Sequence, residues 1–558
     1  MMKNKKSKIK PPTWDNWPAK LICLALTCLW GGIYDFSYAI YGAVFGGALL
    51  LVSAKLKEKK IRLPKGVTTY CLGLLVVCYV IAAFAARDKG VAAMGIVHPV
   101  ALFMFWILWN NLEDDLKKGI FGFIPDMAAV LTLLAYIMYF IPGAGEYLYQ
   151  AQRLGGIFQY SNTYALFLLT AVVIRIYDEK TVRSFVEIVI LLSGIVFCGS
   201  RSVILITVVF LAIFFIQNIQ NIKSGKMIIW LIAVLAGVCT LLQLVMKLDI
   251  QRLLKITLSS STLNGRLLYW QDAIKVIAKK PFGLGYMGYY FMQPQFQTGN
   301  YVTKFVHNDI LQFALDGGWL AMICIVVIFV SNIIKQDGCR RSILILIFVH
   351  SLFDFDLQYA AVMCVAVMCM SCDECQEADK SLVNSVAGIL TIGCVYLAVA
   401  FAFDRFGAYE TAVKLYPGNT FARMELMQDD PDEAEKVIEK NGMSADAYEY
   451  AVEKHLADAD YQAAFEDIEG MLDVAGYRIS CYNQAVYDMS YVLYQALAAE
   501  DYDELARVLD EIANVPVRLE DLKSRTSELA YRINDKPDFE LEPEIQEYID
   551  SLADASVE

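Results

Sequence analysis

Four side chains able to do chemistry stand where apolar runs meet polar loops. Arg153 leads QRLGGIFQYSNTYA, Arg201 sits in FCGSRSVIL, Arg266 opens NGRLLYWQDAIKVIAKKP, and His307 lies in KFVHNDILQFALDGGWLA. Polar groups are costly beside lipid, so such positions are functional candidates. An arginine fork binds anionic oxygens bidentately and stays charged at any pH, which suits a phosphate or diphosphate. An imidazole, with an ordinary pKa of about 6.5, can take the proton of an attacking hydroxyl, a role worth about 10² to 10⁴ in rate. His350 and Asp354 share one helix face at i, i+4 and are read as a hydrogen-bonded pair supporting the site. His98 reads as packed structure. Asp354 and Asp356 spell a DxD, but in an apolar stretch that does not suit a nucleotide-sugar metal site. Cys372 and Cys375 form a CxxC with no second pair nearby, so no zinc site is expected. SGKM at 224–227 lacks the glycine-rich loop of a nucleotide site.

The composition says that the elements holding these residues lie in lipid. Of 558 residues, 57% are hydrophobic, and the mean hydropathy is +0.44, beyond what a soluble globular chain of this size shows. About thirteen apolar segments of membrane-crossing length follow one another from Leu21 to Phe403. Residues 404–558 hold none, and carry 37 acidic and 13 basic side chains, net −24, so an overall −12 leaves +12 on the rest. The expectation is an all-α polytopic membrane protein with a basic cytoplasmic segment at 1–20, a membrane domain at 21–403 and a soluble helical domain at 404–558. Most of the 14 cysteines fall in apolar segments, where they act as small hydrophobes rather than a disulfide framework.

The N-terminus and the loops at 55–62, 114–119, 221–226 and 333–341 are rich in Lys and Arg, and with thirteen spans they share one side, the cytoplasm. Residues 141–160, the turn at 199–202 and the long stretch 247–307 then lie outside, as does the acidic part after the last span. A stretch as long as 247–307 is usually functional. Its spacing predicts an amphipathic helix from Asn264 to Pro281, followed by an interfacial loop, FGLGYMGYYF. Past Asp404, helical patterns alternate with short breaks in a way that resembles degenerate tetratricopeptide repeats, without their strict period of about 34 residues.

Taken in order, RLGGIFQYSNTYALFL, GSRS, NGRLLYWQDAIKVIAKKPFGLG, VHNDILQFALDGGWLA and HSLFDFDLQY resemble the motif set of the O-antigen ligase and polymerase superfamily, over residues 20–375. The resemblance implies a GT-C-like membrane glycosyltransferase that moves or polymerises a glycan from an undecaprenyl-pyrophosphate carrier onto an acceptor hydroxyl. The transfer would be inverting and metal-independent, at the outer face of the cytoplasmic membrane. His307 would be the catalytic base, Arg201 and Arg266 would bind substrate with Arg153 beside them, and His350, Asp354 and Asn308 would support them. Gly317 and Gly318 match the family's glycine element. No cofactor or metal is implied. The implied partners are a lipid-linked oligosaccharide donor and a glycan, lipid or protein acceptor, with a protein partner recruited by the helical domain. Its acidity argues against nucleic acid. A protein O-oligosaccharyltransferase shares these motifs, and a transporter or flippase of lipid-linked glycan is the competing class. Against transport, the polar residues gather at one membrane face rather than at the midplane. No motif residue lies beyond Asp404, so the helical domain is expected to be separable from the site.

Overall fold

The computed structural model describes residues 16–56, 59–178, 181–217, 225–246 and 261–555. The N-terminus to residue 15, residues 221–224 of one basic loop and residues 247–260 of the long stretch fall outside the described residues. The apolar segments are helical as expected. Among the described residues, six helices are long and apolar enough to cross a membrane: Asp35–Lys55, Val67–Ala85, Lys89–Asn111, Asp114–Met138, Asp309–Lys335 and Lys380–Arg405. Shorter apolar helices stand among them, including Ser161–Tyr177, Arg201–Gln217 and Ala360–Cys369. In lipid, helices gain little from hydrophobic association and rely on close packing of small residues. Gly42 and Gly46 provide this for Asp35–Lys55 against Lys380–Arg405, where a Cβ on Gly46 would lie 2.1 Å from Thr391 Oγ1.

The fold is all-α as expected, and the described residues add two short two-stranded sheets to it. Lys60–Lys65 pairs antiparallel with Glu374–Asp379, and Tyr149–Gln150 pairs with Arg153–Leu154. The first sheet joins a basic strand to an acidic one, with Lys60 Nζ 2.8 Å from Glu377 Oε2. Its neighbours are Asn111, whose Nδ2 donates to Arg62 O at 2.7 Å, and the Lys335–Asp373 ion pair. Cys375 is part of the acidic strand, and Cys372 just before it lies 3.5 Å away at sulfur. These contacts gather the loops near 60, 111, 335 and 375 on one membrane face, as alternating spans require.

The described part of the long stretch, from Ser261 on, lies on the opposite face. Its expected helix is present as Ser261–Lys279, and the glycines that follow have a steric purpose. The Asp309–Lys335 helix is kinked at Gly318 (φ 82°), and the segment after Pro281 docks into that kink: Trp319 N donates to Pro281 O at 3.0 Å and Leu284 N to Leu315 O at 2.6 Å. A Cβ on Gly318 would sit 2.4 Å from Pro281 O, and one on Gly283 2.7 Å from Leu315 O. Only residues without a Cβ allow this backbone-to-backbone contact and the positive φ together.

Residues 409–555 form successive helices that each pack on the next, from Tyr409–Leu415 to Pro543–Ala555. One turn recurs: Ala459 and Glu500 take positive φ, and the following Asp460 and Asp501 each accept the backbone N–H three residues on, capping Tyr461–Val474 and Tyr502–Ser524. Motif positions lead one to expect this domain to be separable from catalysis, and it nonetheless makes direct contacts with the membrane part. Asp88 Oδ2 accepts from Thr420 Oγ1 (2.6 Å) and Asn441 Nδ2 (3.0 Å), and Ser527 N donates to Thr298 O at 2.8 Å. Tyr286, Met287, Phe291 and Phe305 share one apolar core with Phe465, Met471 and Met489. Packing these aromatic residues against the domain removes their apolar surface from water. A chain ending at Phe403 should therefore insert but lose at least tenfold in activity and melt earlier in detergent, as read by scanning fluorimetry.

Candidate active site

The site is built around one buried carboxylate. Asp354 lies in the turn that follows the Gly338–Ser351 helix and is fully buried. Its Oδ1 accepts from Tyr160 OH at 2.8 Å and faces His307 Nδ1 at 3.1 Å, and its Oδ2 accepts from Asn162 Nδ2 at 2.7 Å and Arg266 Nη2 at 3.0 Å. Burial pushes the Asp354 carboxyl up, but the Arg266 charge and the His307 contact outweigh it and hold the group below the ordinary carboxylate range. Asp354 is thus an anion and can only accept. It draws the His307 proton to Nδ1, which leaves Nε2 as a lone-pair acceptor with no hydrogen-bond partner among the described residues.

His307 is held by its backbone as well. It takes φ 52°, an unusual conformation for a residue with a Cβ. Val306 N donates to Gln312 Oε1 at 3.0 Å, and Trp270 Nε1 reaches Val306 O at 3.1 Å. Asn308 caps the Asp309–Lys335 helix through Leu311 N and donates to Leu352 O at 2.9 Å, tying the histidine turn to the Asp354 turn. Asn308 is therefore a positioning residue.

The three arginines differ in how far they are committed. Arg266 gives one nitrogen to Asp354, while its Nε is buried without a hydrogen-bond partner among the described residues. Arg153 donates from Nε to Cys198 O at 2.8 Å and from Nη2 to Asn162 Oδ1 at 2.7 Å. It orients Asn162, and through it Asp354, while steadying the turn at Gly199 (φ 61°). Arg201 comes directly after this turn as the first residue of Arg201–Gln217. It is half-buried and makes no hydrogen bond or ion pair among the described residues.

The expected pairing of His350 with Asp354 is corrected. The helix ends at Ser351, so i, i+4 geometry does not extend to 354. His350 Nδ1 instead meets Asp356 Oδ2 at 2.5 Å, its Nε2 lies 2.9 Å from Ser202 Oγ, and Asp356 Oδ1 accepts from Thr163 Oγ1 at 2.8 Å. The two carboxylates of the DxD thus serve two histidines, one at the site and one buried behind it. Neighbours Asn162 and Thr163 hold one each, and Ser202 links the second network to Arg201. His98 meets Asp35 Oδ1 at 2.9 Å and stacks on Tyr38, a separate cluster. Tyr160, Thr163 and Ser202 stood in the quoted QYSNTYA and GSRS runs without being singled out, because nothing local distinguishes them from ordinary interface polar residues, and Asp356 was noticed only as half of a DxD. Asn162 stood in the quoted SNTYA run.

A groove of about 710 Å³ leads away from this network. It starts at Ser202 and Phe353, runs between Arg201–Gln217 and Gly338–Ser351 past Leu205, Val209 and Val349, and ends near Arg341. Its walls are apolar over the length of a membrane helix.

Residues 187–326 match the family model described as O-Antigen ligase. Arg201, Arg266, His307 and Asn308 lie within the match, and Arg153, His350 and Asp354 lie outside it. No curated protein matches the chain. A segment of this multi-pass helical membrane protein is thus similar to the O-antigen ligase family.

Proposed function

We propose that the chain transfers a glycan from a polyprenyl diphosphate, such as undecaprenyl pyrophosphate, to an acceptor hydroxyl on the extracytoplasmic side. The observation that carries this is the His307–Asp354–Arg266 cluster: one carboxylate orients a base with a free Nε2 and also holds a guanidinium. Nε2 takes the acceptor's proton while the acceptor oxygen attacks the anomeric carbon. The bond from that carbon to the diphosphate breaks, and the diphosphate leaves with its charge on Arg201 and Arg266. Attack opposite the leaving group inverts the anomeric centre. The guanidinium charge acts in a half-buried site where water screens it weakly. Arg153 and Asn308 hold geometry and need not touch substrate.

The apolar groove fits the same reading, since a polyprenyl tail needs an apolar path from the diphosphate into the bilayer. The test is transfer by purified protein in nanodiscs, with a labelled lipid-linked oligosaccharide as donor. Wild type should transfer it, and Leu205→Trp with Val209→Trp should raise the donor KM about tenfold at nearly unchanged kcat, the pattern of lost ground-state binding. Absence of transfer by wild type to saccharide, lipid A-type or peptide acceptors would sink the proposal.

Orientation is a separate expectation. The face with the helical domain is extracytoplasmic, and the face with the Lys60–Lys65 strand is cytoplasmic, in accord with the basic loops there. With Cys372 and Cys375 replaced by serine, Ser490→Cys should react with an impermeant maleimide in intact cells and Glu377→Cys only after permeabilisation. The reverse pattern would place the site in the cytoplasm.

A further inference from the structure

The helical domain carries an exposed aromatic face that its fold does not require. Helix Ile479–Ala498 buries Tyr482, Ala485, Val486, Met489 and Val492 in the domain core. On its other side Tyr487, Tyr491 and Tyr494 are 65, 46 and 67% exposed. Exposed aromatic rings grouped on one face mark contact surfaces rather than chance. They edge a cavity of about 480 Å³ whose wall also includes Leu456, Asp488 and Ser490. Asp488 is only 7% exposed. Gln484 Nε2 donates to its Oδ1 at 2.9 Å, and no other described residue donates to this carboxylate. A buried acceptor with spare capacity, opening onto a cavity walled by phenol rings, is a site for a ligand that brings hydroxyl donors.

We infer that this face binds a neutral glycan chain, the substrate or product of the transferase, and so keeps the polymer beside the active site. Pyranose rings offer a C–H face that stacks on the electron-rich face of an aromatic ring, and their hydroxyls donate to a carboxylate that can only accept. The helix rises about 1.5 Å per residue, so the three rings are spaced by roughly 6 and 4.5 Å along it, the length scale of one sugar unit. Net −24 on residues 404–558 excludes an anionic polymer and disfavours an anionic lipid surface. Tyr461 stacks edge-tilted on Tyr491 at 6.1 Å between centroids and broadens the platform. This inference rests on the glycan-transfer reading, but it concerns binding outside the catalytic cluster.

The experiment uses full-length protein in nanodiscs and neutral oligosaccharides released by mild acid from the producing cell's surface polysaccharide, with binding read by saturation-transfer NMR and titration. Wild type and His307→Ala should bind alike. Tyr487→Ala with Tyr491→Ala should weaken binding at least tenfold, as should Asp488→Asn, while Tyr491→Phe, which keeps the ring, should retain most of it. The exposed substitutions should leave the melting temperature unchanged. Failure of wild type to bind, or unchanged binding in the tyrosine variant, overturns the inference. So does a dimer in wild type that becomes monomeric in the variant while glycan binding is unchanged, because the face would then join two copies. Transfer is measured in parallel: binding without transfer defeats only the proposed reaction, and transfer without this binding defeats only the inference.

Discussion

His307→Ala, purified and folded, should bind lipid-linked donor about as tightly as wild type and transfer its glycan two to four orders of magnitude more slowly, about the worth of a general base. The separation follows from geometry. His307 presents Nε2 to the acceptor, whereas the positive charge for the donor's diphosphate comes from Arg201 and Arg266. Truncating the imidazole leaves that charge in place. Arg201→Ala should instead weaken donor binding and transfer together, because this guanidinium has no protein partner among the described residues to engage it. Arg201→Lys should recover little, since a point charge cannot reproduce two parallel hydrogen bonds. Donor binding by fluorescence and single-turnover transfer distinguish the two patterns. A His307→Ala enzyme with wild-type turnover would remove the histidine from the mechanism.

Asp354→Asn should cost as much in transfer as loss of the histidine. A carboxamide can donate as well as accept, so Nδ1 of His307 is no longer forced to carry the proton, and the lone pair at Nε2 is no longer assured. Asp354→Ala goes further and leaves Arg266, 14% exposed at its side chain, without its anion. Removing one partner of a buried ion pair costs about 3–5 kcal/mol, so this variant should also melt well below wild type. The pH dependence has a definite sign. The Asp354 carboxyl is held below its ordinary value of about 4, so its contribution to stability is present above that value and disappears only as pH falls through the depressed folded pKa. Thermal melts of wild type minus Asp354→Asn should show a difference that is flat from neutral to mildly acidic pH and shrinks only in strong acid. A difference that vanished already near pH 6 would mean that Asp354 is not the anion of this cluster.

Much of this arrangement was legible in the chain. Apolar runs located the helices, because membrane spans must satisfy their backbone internally and so declare themselves by length. Arg201, Arg266 and His307 were legible because charge beside lipid is conspicuous. Asp354 could be noticed, but its partner was misassigned: helical periodicity predicts i, i+4 only while the helix continues, and this one stops at Ser351. Tyr160 and Asn162 reach Asp354 across nearly two hundred positions of sequence, a pairing that no local pattern encodes. The union of the helical domain with the loop before His307 was also hidden, since the aromatic residues of FGLGYMGYYF read equally well as a membrane-interface belt. Only their packing shows that protein rather than headgroups covers Tyr286 and Phe291.

The small sheet opposite the site has a consequence for biosynthesis. Lys60–Lys65 finds its partner only at Glu374–Asp379, and at about 5–20 residues per second the ribosome needs on the order of 15–60 s to supply that partner. Throughout that interval the strand is an open edge beside the translocating chain. Its own sequence, KIRLPK, guards it: lysine at both ends, an arginine within and a proline that cannot donate are the features that discourage pairing with a wrong neighbour. The acidic strand that arrives second can then select this edge by charge, and its docking ties together helices inserted at opposite stages of synthesis.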